Sequence, residues 1–235
     1  MGNVEQLWDL HNLAEAHRLV EWTSEHVLAH AHGTVAEVGA GIGTYSERML
    51  ANGADPLLLL EPDEACLGVL HSRFNEDPRV VIAEETVPDS PSLKSRAGQL
   101  DAVVSQNVIE HIEDDRAAVR AMAEALRPGG VLSLQVPAHP ALYGELDRVY
   151  GHYRRYTRRA LREVVEGAGL EVVEIRPFNL LGVLGWAVNR NRSEPRVSAA
   201  ALRVFETLVK PWRPVEERLR PRWGLSLLAH ARRPG

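Results

Sequence analysis

Cysteine is nearly absent from this chain: Cys66 is the only one in 235 residues. A lone thiol excludes an intramolecular disulfide framework and any zinc cluster built from cysteines, and it suits a reducing compartment such as the cytoplasm. No apolar run approaches the roughly 20 residues that span a bilayer. The longest candidate, "FNLLGVLGWAVN", is too short and is broken by glycine. The opening "MGNVEQLWDL" lacks the basic start and apolar core of a secretion signal, and Gln6 stands where myristoylation needs Ser or Thr. The expectation is an uncleaved, unlipidated cytoplasmic chain. Repeats and low-complexity tracts are missing, and no clustered His and carboxylate spacing calls for a metal.

What is present is an ordinary globular composition, 45% hydrophobic and 25% charged, enough for one large domain or one domain with an embellishment. The net charge of −5 hides an asymmetry. Residues 1–142 carry 9 Lys+Arg against 22 Asp+Glu, a charge of −13; residues 143–235 carry 18 against 10, a charge of +8. A basic last part facing an anionic substrate or lipid headgroups is one reading, and scattered solvated charge is the other. Nucleic acid is not expected, because the arginines form no reading motif.

Short apolar runs alternate with helical patterns, the signature of a parallel sheet with helices on both faces. The runs are 34–38, 57–61, 80–83, 100–105, 131–136, 170–175 and 224–231; helices are expected near 5–31, 44–52, 63–74, 114–126 and 158–167. "RPGG" at 127–130 reads as a helix end before a strand, and Thr157 as the cap of a helix that Gly167 and Gly169 terminate. The predicted fold is α/β, a Rossmann-like doubly wound seven-stranded sheet in a single domain. Residues 1–31 form a helical lid, 33–176 the core, 177–223 a helical cap inserted before the last strand, and 224–235 that strand and a tail.

"VAEVGAGIGTYSERM" sets Gly39, Gly41 and Gly43 between the first strand and a helix, where the backbone can turn sharply and approach a ligand. Glu61 ends the second strand, "LLLLE", where a carboxylate can accept both hydroxyls of a ribose. A dinucleotide loop needs G-x-G-x-x-G, but the sixth position from Gly39 is Thr44 and from Gly41 is Ser46. The pattern here is E-x-G-x-G-x-G, with Glu37 as its acid. Together with "IAEET" after the third strand and "SQNVIEHIEDD" after the fourth, it resembles the class I S-adenosylmethionine-dependent methyltransferases over residues 33–176, and small-molecule methyltransferases of types 11 and 12 over 100–176.

That resemblance implies S-adenosylmethionine as cofactor. It sets Gly39, Ala40, Gly41 and Gly43 against the amino acid and sugar, with Glu37 organising the loop and Glu61, with Pro62, holding the ribose. Glu84 or Glu85 falls near the adenine, where the family usually has Asp before a small residue. Asn107 and Val108 would line the methionine end through their backbone.

Methyl transfer from a sulfonium needs near-attack geometry away from water, and a hydroxyl acceptor gains from a general base with a pKa near working pH. His111, His139 and His152 are the candidates, His111 being equally well read as a structural hydrogen bonder. "YGELDRVYGHYRRYTRR" at 143–159 holds four of the five tyrosines, five arginines and His152. Arg154 and Arg155, beside the helix start capped by Thr157, read as a fork for a carboxylate or phosphate. Tyr143 and Tyr156 join them as acceptor contacts, and Arg158 and Arg159 as solvated. The expected reaction is methylation of a small, anionic acceptor, on oxygen first and nitrogen second. The alternatives are a lipid-linked acceptor met at a membrane through 177–223, a nicotinamide-dependent oxidoreductase on a similar sheet, and a binding module without catalysis; the oligomeric state is open.

Overall fold

The computed structural model describes residues 10–12, 14–189 and 199–235. They form a seven-stranded sheet from β1 (Gly33–Val38), β2 (Ala54–Leu60), β3 (Val80–Ala83), β4 (Leu100–Gln106), β5 (Leu126–Pro137), β6 (Glu171–Phe178) and β7 (Ser226–Arg232). The order is β3-β2-β1-β4-β5-β7-β6. β1 to β5 pair in parallel, and β7 runs antiparallel between β5 and β6.

Alternating side chains of the central strands feed two separate cores, because successive residues of a strand point to opposite faces. Ala36, Val38, Leu58 and Leu60 face the helices Pro91–Lys94, Asp115–Ala125 and Arg158–Gly167 through Leu93, Met122 and Leu161. Val35, Leu57 and Leu59 face His17–Val27, Ser46–Ala51 and Glu64–Phe74 through Trp22, Met49 and Leu70. Strands covered on both sides must be nearly all apolar, and Leu57 to Leu60 are at most 2% exposed. β1 is flanked by β2 on one side and β4 on the other, so the chain reverses direction across the sheet there. The crevice above β1 and β4 is where such sheets bind ligands.

Thr157 caps Arg158–Gly167 as expected, accepting from the Ala160 amide at 3.1 Å. Three boundaries differ most from the sequence reading. The helix expected over 5–31 is His17–Val27, with residues 10–12 and 14 also helical and 1–9 and 13 outside the described residues. It stops before β1 because Asn52 Nδ2 donates to the Leu28 and Ala31 carbonyls at 3.0 and 3.1 Å, tying off the turn that follows. "RPGG" lies inside β5: the pairing shifts between Leu100↔Leu126 and Ala102↔Val131, and a Cβ on Gly130 would stand 2.8 Å from the Leu100 carbonyl oxygen. β6 runs on to Phe178, whose ring centroid lies 4.5 Å from that of Trp22.

The segment expected as a cap divides in two. Ala199–Leu219 lies on the sheet's second face beside His17–Val27: Glu206 accepts from the Arg18 and Leu19 amides, and Glu217 from Trp22 Nε1 at 2.6 Å. Leu180–Asn189 instead reaches over the loop after β5, where Trp186 Nε1 donates to the Leu142 carbonyl at 3.2 Å. No described helix is long and apolar enough to cross a membrane.

In β7, His230 is 8% exposed, meets Ser133 Oγ through Nδ1 at 3.0 Å, and is pulled down to about 4 by burial and by His30. The unfolded chain therefore takes up this proton near pH 6.5 while the fold resists it until about 4. Stability should fall as pH drops through that window, by up to about 1.4 kcal/mol per pH unit for this group. Urea titrations from pH 7 to 4 should show a shallower acid-side slope for His230→Gln.

Candidate functional site

The glycine loop is pinned to the end of β2. The amides of Gly39 and Ala40 donate to the Leu60 carbonyl at 2.8 and 3.1 Å, and the Gly41 amide to Glu61 Oε2 at 2.7 Å. Glu61 Oε1 accepts from the Asp63 amide at 3.0 Å, and burial pushes this carboxyl up. Gly39 has φ +77°, and a Cβ there would lie 2.3 Å from Val108 Cγ2, so only glycine lets the β1 loop approach the β4 loop. Glu37 is buried beneath the loop, accepts from Ser46 Oγ at 2.5 Å and is pushed up to about 8 by that burial. Gly43 packs on Phe74, and Arg73 donates to the Ile42 carbonyl. Gly41 is open by contrast: a Cβ would meet nothing nearer than Leu10 Cδ1 at 3.6 Å, which brings the N-terminal segment over the loop.

Around this cradle, Pro62 and Glu84 are exposed, whereas Glu85 is engaged. Its oxygens accept from Ser90 Oγ at 2.5 Å, Ser92 Oγ at 2.7 Å and the Ser92 amide at 3.0 Å. Burial pushes Glu85 up, but these bonds outweigh it and hold the carboxyl below its ordinary value. Of the pair, Glu84 is the acid left toward solvent at the end of β3. Asn107 takes φ +52° beyond β4, its amide donating to the Gln135 carbonyl at 2.9 Å, and half-buried Val108 follows.

Next to Asn107, a second set of groups is brought together by the loop between β5 and Arg158–Gly167. Asp147, on the short helix Glu145–Val149, is fully buried. It accepts from His152 Nδ1 and Arg155 Nε, each at 2.8 Å, and from the Gly144 amide at 3.0 Å. Burial pushes Asp147 up, yet the bonds from His152 and Arg155 hold it below the usual carboxylate range. His152 meets His111 edge to face, with ring centroids 4.6 Å apart, and burial together with His152 pulls His111 down to about 4. Glu110 is 0% exposed and is pushed up to about 8 by burial.

Several expected acceptor contacts are directed inward instead. Tyr156 is 2% exposed and donates to Asp115 Oδ2 at 2.7 Å from within the core, so it forms no pocket wall. The Arg155 guanidinium is committed to Asp147 and the Ala138 carbonyl, and stacks 4.3 Å from the Trp186 ring. Arg154 pairs with Asp115 at 2.9 Å and donates to the Glu113 carbonyl at 2.6 Å. Both arginines thus compensate internal acids, and the fork for an anion is not formed by them. Tyr143 is half-buried and donates to the His152 carbonyl at 2.7 Å, bracing that residue. His139, at φ +60°, stacks on Trp223 at 4.3 Å, is pulled down by burial and Arg155, and keeps an enclosed Nε2 without a hydrogen-bond partner among the described residues. Arg158 and Arg159 are exposed, as expected.

Glu110, Asp147, Gln106 and Gln135 were not singled out from the sequence. The enclosed side-chain oxygens of Gln106, Gln135 and Glu110 have no hydrogen-bond partner among the described residues. Gln106 and Gln135 pair in register at the carboxyl ends of β4 and β5. The position of a glutamine near the carboxyl end of each strand was the legible signal for Gln106 and Gln135.

A family model described as a methyltransferase domain matches residues 11–175. The chain belongs to the S-adenosylmethionine-dependent methyltransferases. It is 29% identical over 128 residues to a ubiquinone biosynthesis O-methyltransferase of Acinetobacter baylyi, covering 52% of this chain and 53% of that one. It is 32% identical over 149 residues to a probable S-adenosylmethionine-dependent methyltransferase of Mycolicibacterium smegmatis, covering 62% and 55%. The chain thus spans about half the length of these curated relatives. Its fold matches an S-adenosylmethionine-dependent methyltransferase structure from Mesorhizobium loti with TM-score 0.63, at 15% identity over 88% of this chain and 94% of that one.

Two substitutions probe this methyltransferase's site. Glu61→Ala should weaken S-adenosylhomocysteine binding by roughly 10-fold or more, because a charged hydrogen-bond acceptor contributes about 1.5–3 kcal/mol, as calorimetry would measure. Arg155→Leu should lower stability by about 3–5 kcal/mol by stranding the buried Asp147. Arg158→Ala, on an exposed face, should stay within about 0.5 kcal/mol.

Proposed function

We propose that this methyltransferase methylates an oxygen of a small, hydroxyl-bearing acceptor. S-adenosylmethionine, when bound, supplies the sulfonium methyl and its own leaving group. The chain's residues fit that cofactor: Glu61 has the carboxylate for a ribose, Gly41 leaves room above the loop, and the β4 turn at Asn107 and Val108 borders it. Glu84, exposed at the end of β3, is the acid we assign to the adenine edge.

The observation that carries the choice of oxygen is the His111–His152 pair just beyond Asn107, with Asp147 fixing one ring nitrogen of His152. A hydroxyl must give up its proton as it is methylated, whereas a neutral amine needs no such help. An imidazole oriented by a buried carboxylate is suited to take it. The O-methyltransferase relatives favour the same atom. The arginines do not support an anionic grip on the acceptor, since Arg154 and Arg155 are bound to Asp115 and Asp147. The single buried thiol, Cys66, suits the cytoplasm as the setting.

The purified protein, given S-adenosylmethionine and a panel of phenols, alcohols, amines and carboxylic acids, should release S-adenosylhomocysteine with the hydroxyl compounds, and mass spectrometry should find the methyl on oxygen. His152→Ala should cut kcat by about 100-fold or more with little change in cofactor affinity. Turnover confined to amines, or a His152→Ala enzyme as fast as the parent, would overturn the proposal.

A further inference from the structure

Among the described residues, one carboxylate and two imidazoles converge at the site: Glu110, His111 and His152 each offer a ligand atom, all within 4.8 Å of one another. We propose that this trio binds a divalent transition-metal cation of the zinc type, and that the cation holds the acceptor hydroxyl.

Glu110 is the decisive member. It is 0% exposed, and neither of its carboxylate oxygens receives a hydrogen bond from another described residue. A buried carboxyl left in that state is costly unless a cation or a proton meets it. The Arg155 guanidinium, whose charge favours the Glu110 carboxylate, is bound at 2.8 Å to Asp147, itself fully buried, and gives Glu110 no hydrogen bond. The His152 imidazole is already oriented as a metal ligand is, with one ring nitrogen held by a carboxylate and the other left for the ion. His152 Nδ1 is tied to Asp147 Oδ1 at 2.8 Å, and Asp147 is locked by Arg155 and the Gly144 amide. The His111 ring is held by the backbone of Tyr150 and Gly151.

Two nitrogens and one carboxylate oxygen suit zinc and its first-row neighbours rather than magnesium or calcium, which prefer all-oxygen sets. Ligands at about 2.0–2.2 Å in a tetrahedron stand roughly 3.4 Å apart, so binding requires the trio to close by up to about 1.4 Å. His152 lies on the loop after β5 and can supply that movement. Three protein ligands leave a fourth position for water or an acceptor hydroxyl, and a hydroxyl held there releases its proton to solvent more readily. The acceptor's role rests on the oxygen-methylation reading above, with the bound cation, rather than a free His152 nitrogen, drawing off the hydroxyl's proton; the binding of metal does not.

The test loads chelator-stripped full-length protein with Zn2+ or Co2+, followed by dialysis, elemental analysis and visible absorption of the Co2+ form. The parent should retain a single ion per chain and show the intense bands of a tetrahedral Co2+ site. Glu110→Gln and His152→Gln should each weaken binding by roughly 10-fold or more while still binding S-adenosylhomocysteine, which shows that they are folded. A parent that retains no stoichiometric ion, or variants that retain it as well as the parent, would overturn the site. If metal is bound as expected but methyl transfer goes only to amines, the site stands and the oxygen-methylation reading falls.

Discussion

Burial of the central strands on both faces is the constraint on which the rest of this molecule depends. Leu57 to Leu60, Val35 and Ala36, and Val103 and Val104 are enclosed between two helical layers. A strand of that kind has little room for polar groups along its length, because a buried polar group without a partner is destabilising, and Glu37 near the end of β1 is met by Ser46 Oγ. Chemistry is therefore displaced to the strand ends. Glu61, Asn107, Gln106 and Gln135 all stand at or just beyond the carboxyl ends of β2, β4 and β5. The reversal of strand order between β1 and β4 opens the crevice into which they face.

Above that crevice, one buried acid organises the loop after β5. Asp147 draws in His152, Arg155 and the Gly144 amide, adding side-chain bonds to a loop already held by backbone ones such as His139 to Tyr156 and Tyr153 to Glu110. Arg155 extends the network to the Ala138 carbonyl at the end of β5 and to the Trp186 ring on Leu180–Asn189. A carboxylate in a low-dielectric setting is stable only when its partners are in place, and removing any one strands the rest. Specificity of position, rather than net stability, is what such a network provides here. It fixes where the second ring nitrogen of His152 stands relative to His111 and Glu110.

The glycine loop and the acid at the end of β2 were legible because their signals are local. E-x-G-x-G-x-G and the acid ending "LLLLE" are each contiguous, and the physical demands behind them, a tight turn and a strand-end carboxylate, act over a few residues. Glu85 shows the limit of such reading. It stands beside Glu84 in the sequence, but Ser90 and Ser92 recruit it to the start of Pro91–Lys94. The arginines were misplaced for a related reason. "RRYTRR" states that charge is present, not whether an internal Asp115 or Asp147 needs it more than a ligand does.

The sequence by itself determined the alternation of strands and helices, the glycine loop, the capped helix after Thr157 and membership of the methyltransferase class, because periodicity and turn chemistry are properties of neighbouring residues. Packing between distant segments decided that Ala199–Leu219 lies on the second face of the sheet while Leu180–Asn189 reaches the loop after β5, and that Tyr156 is core. It also decided that Glu110 and His111 meet His152 from across 42 and 41 positions of chain. Those outcomes depend on which buried charge finds which partner, and that is settled only when distant segments pack.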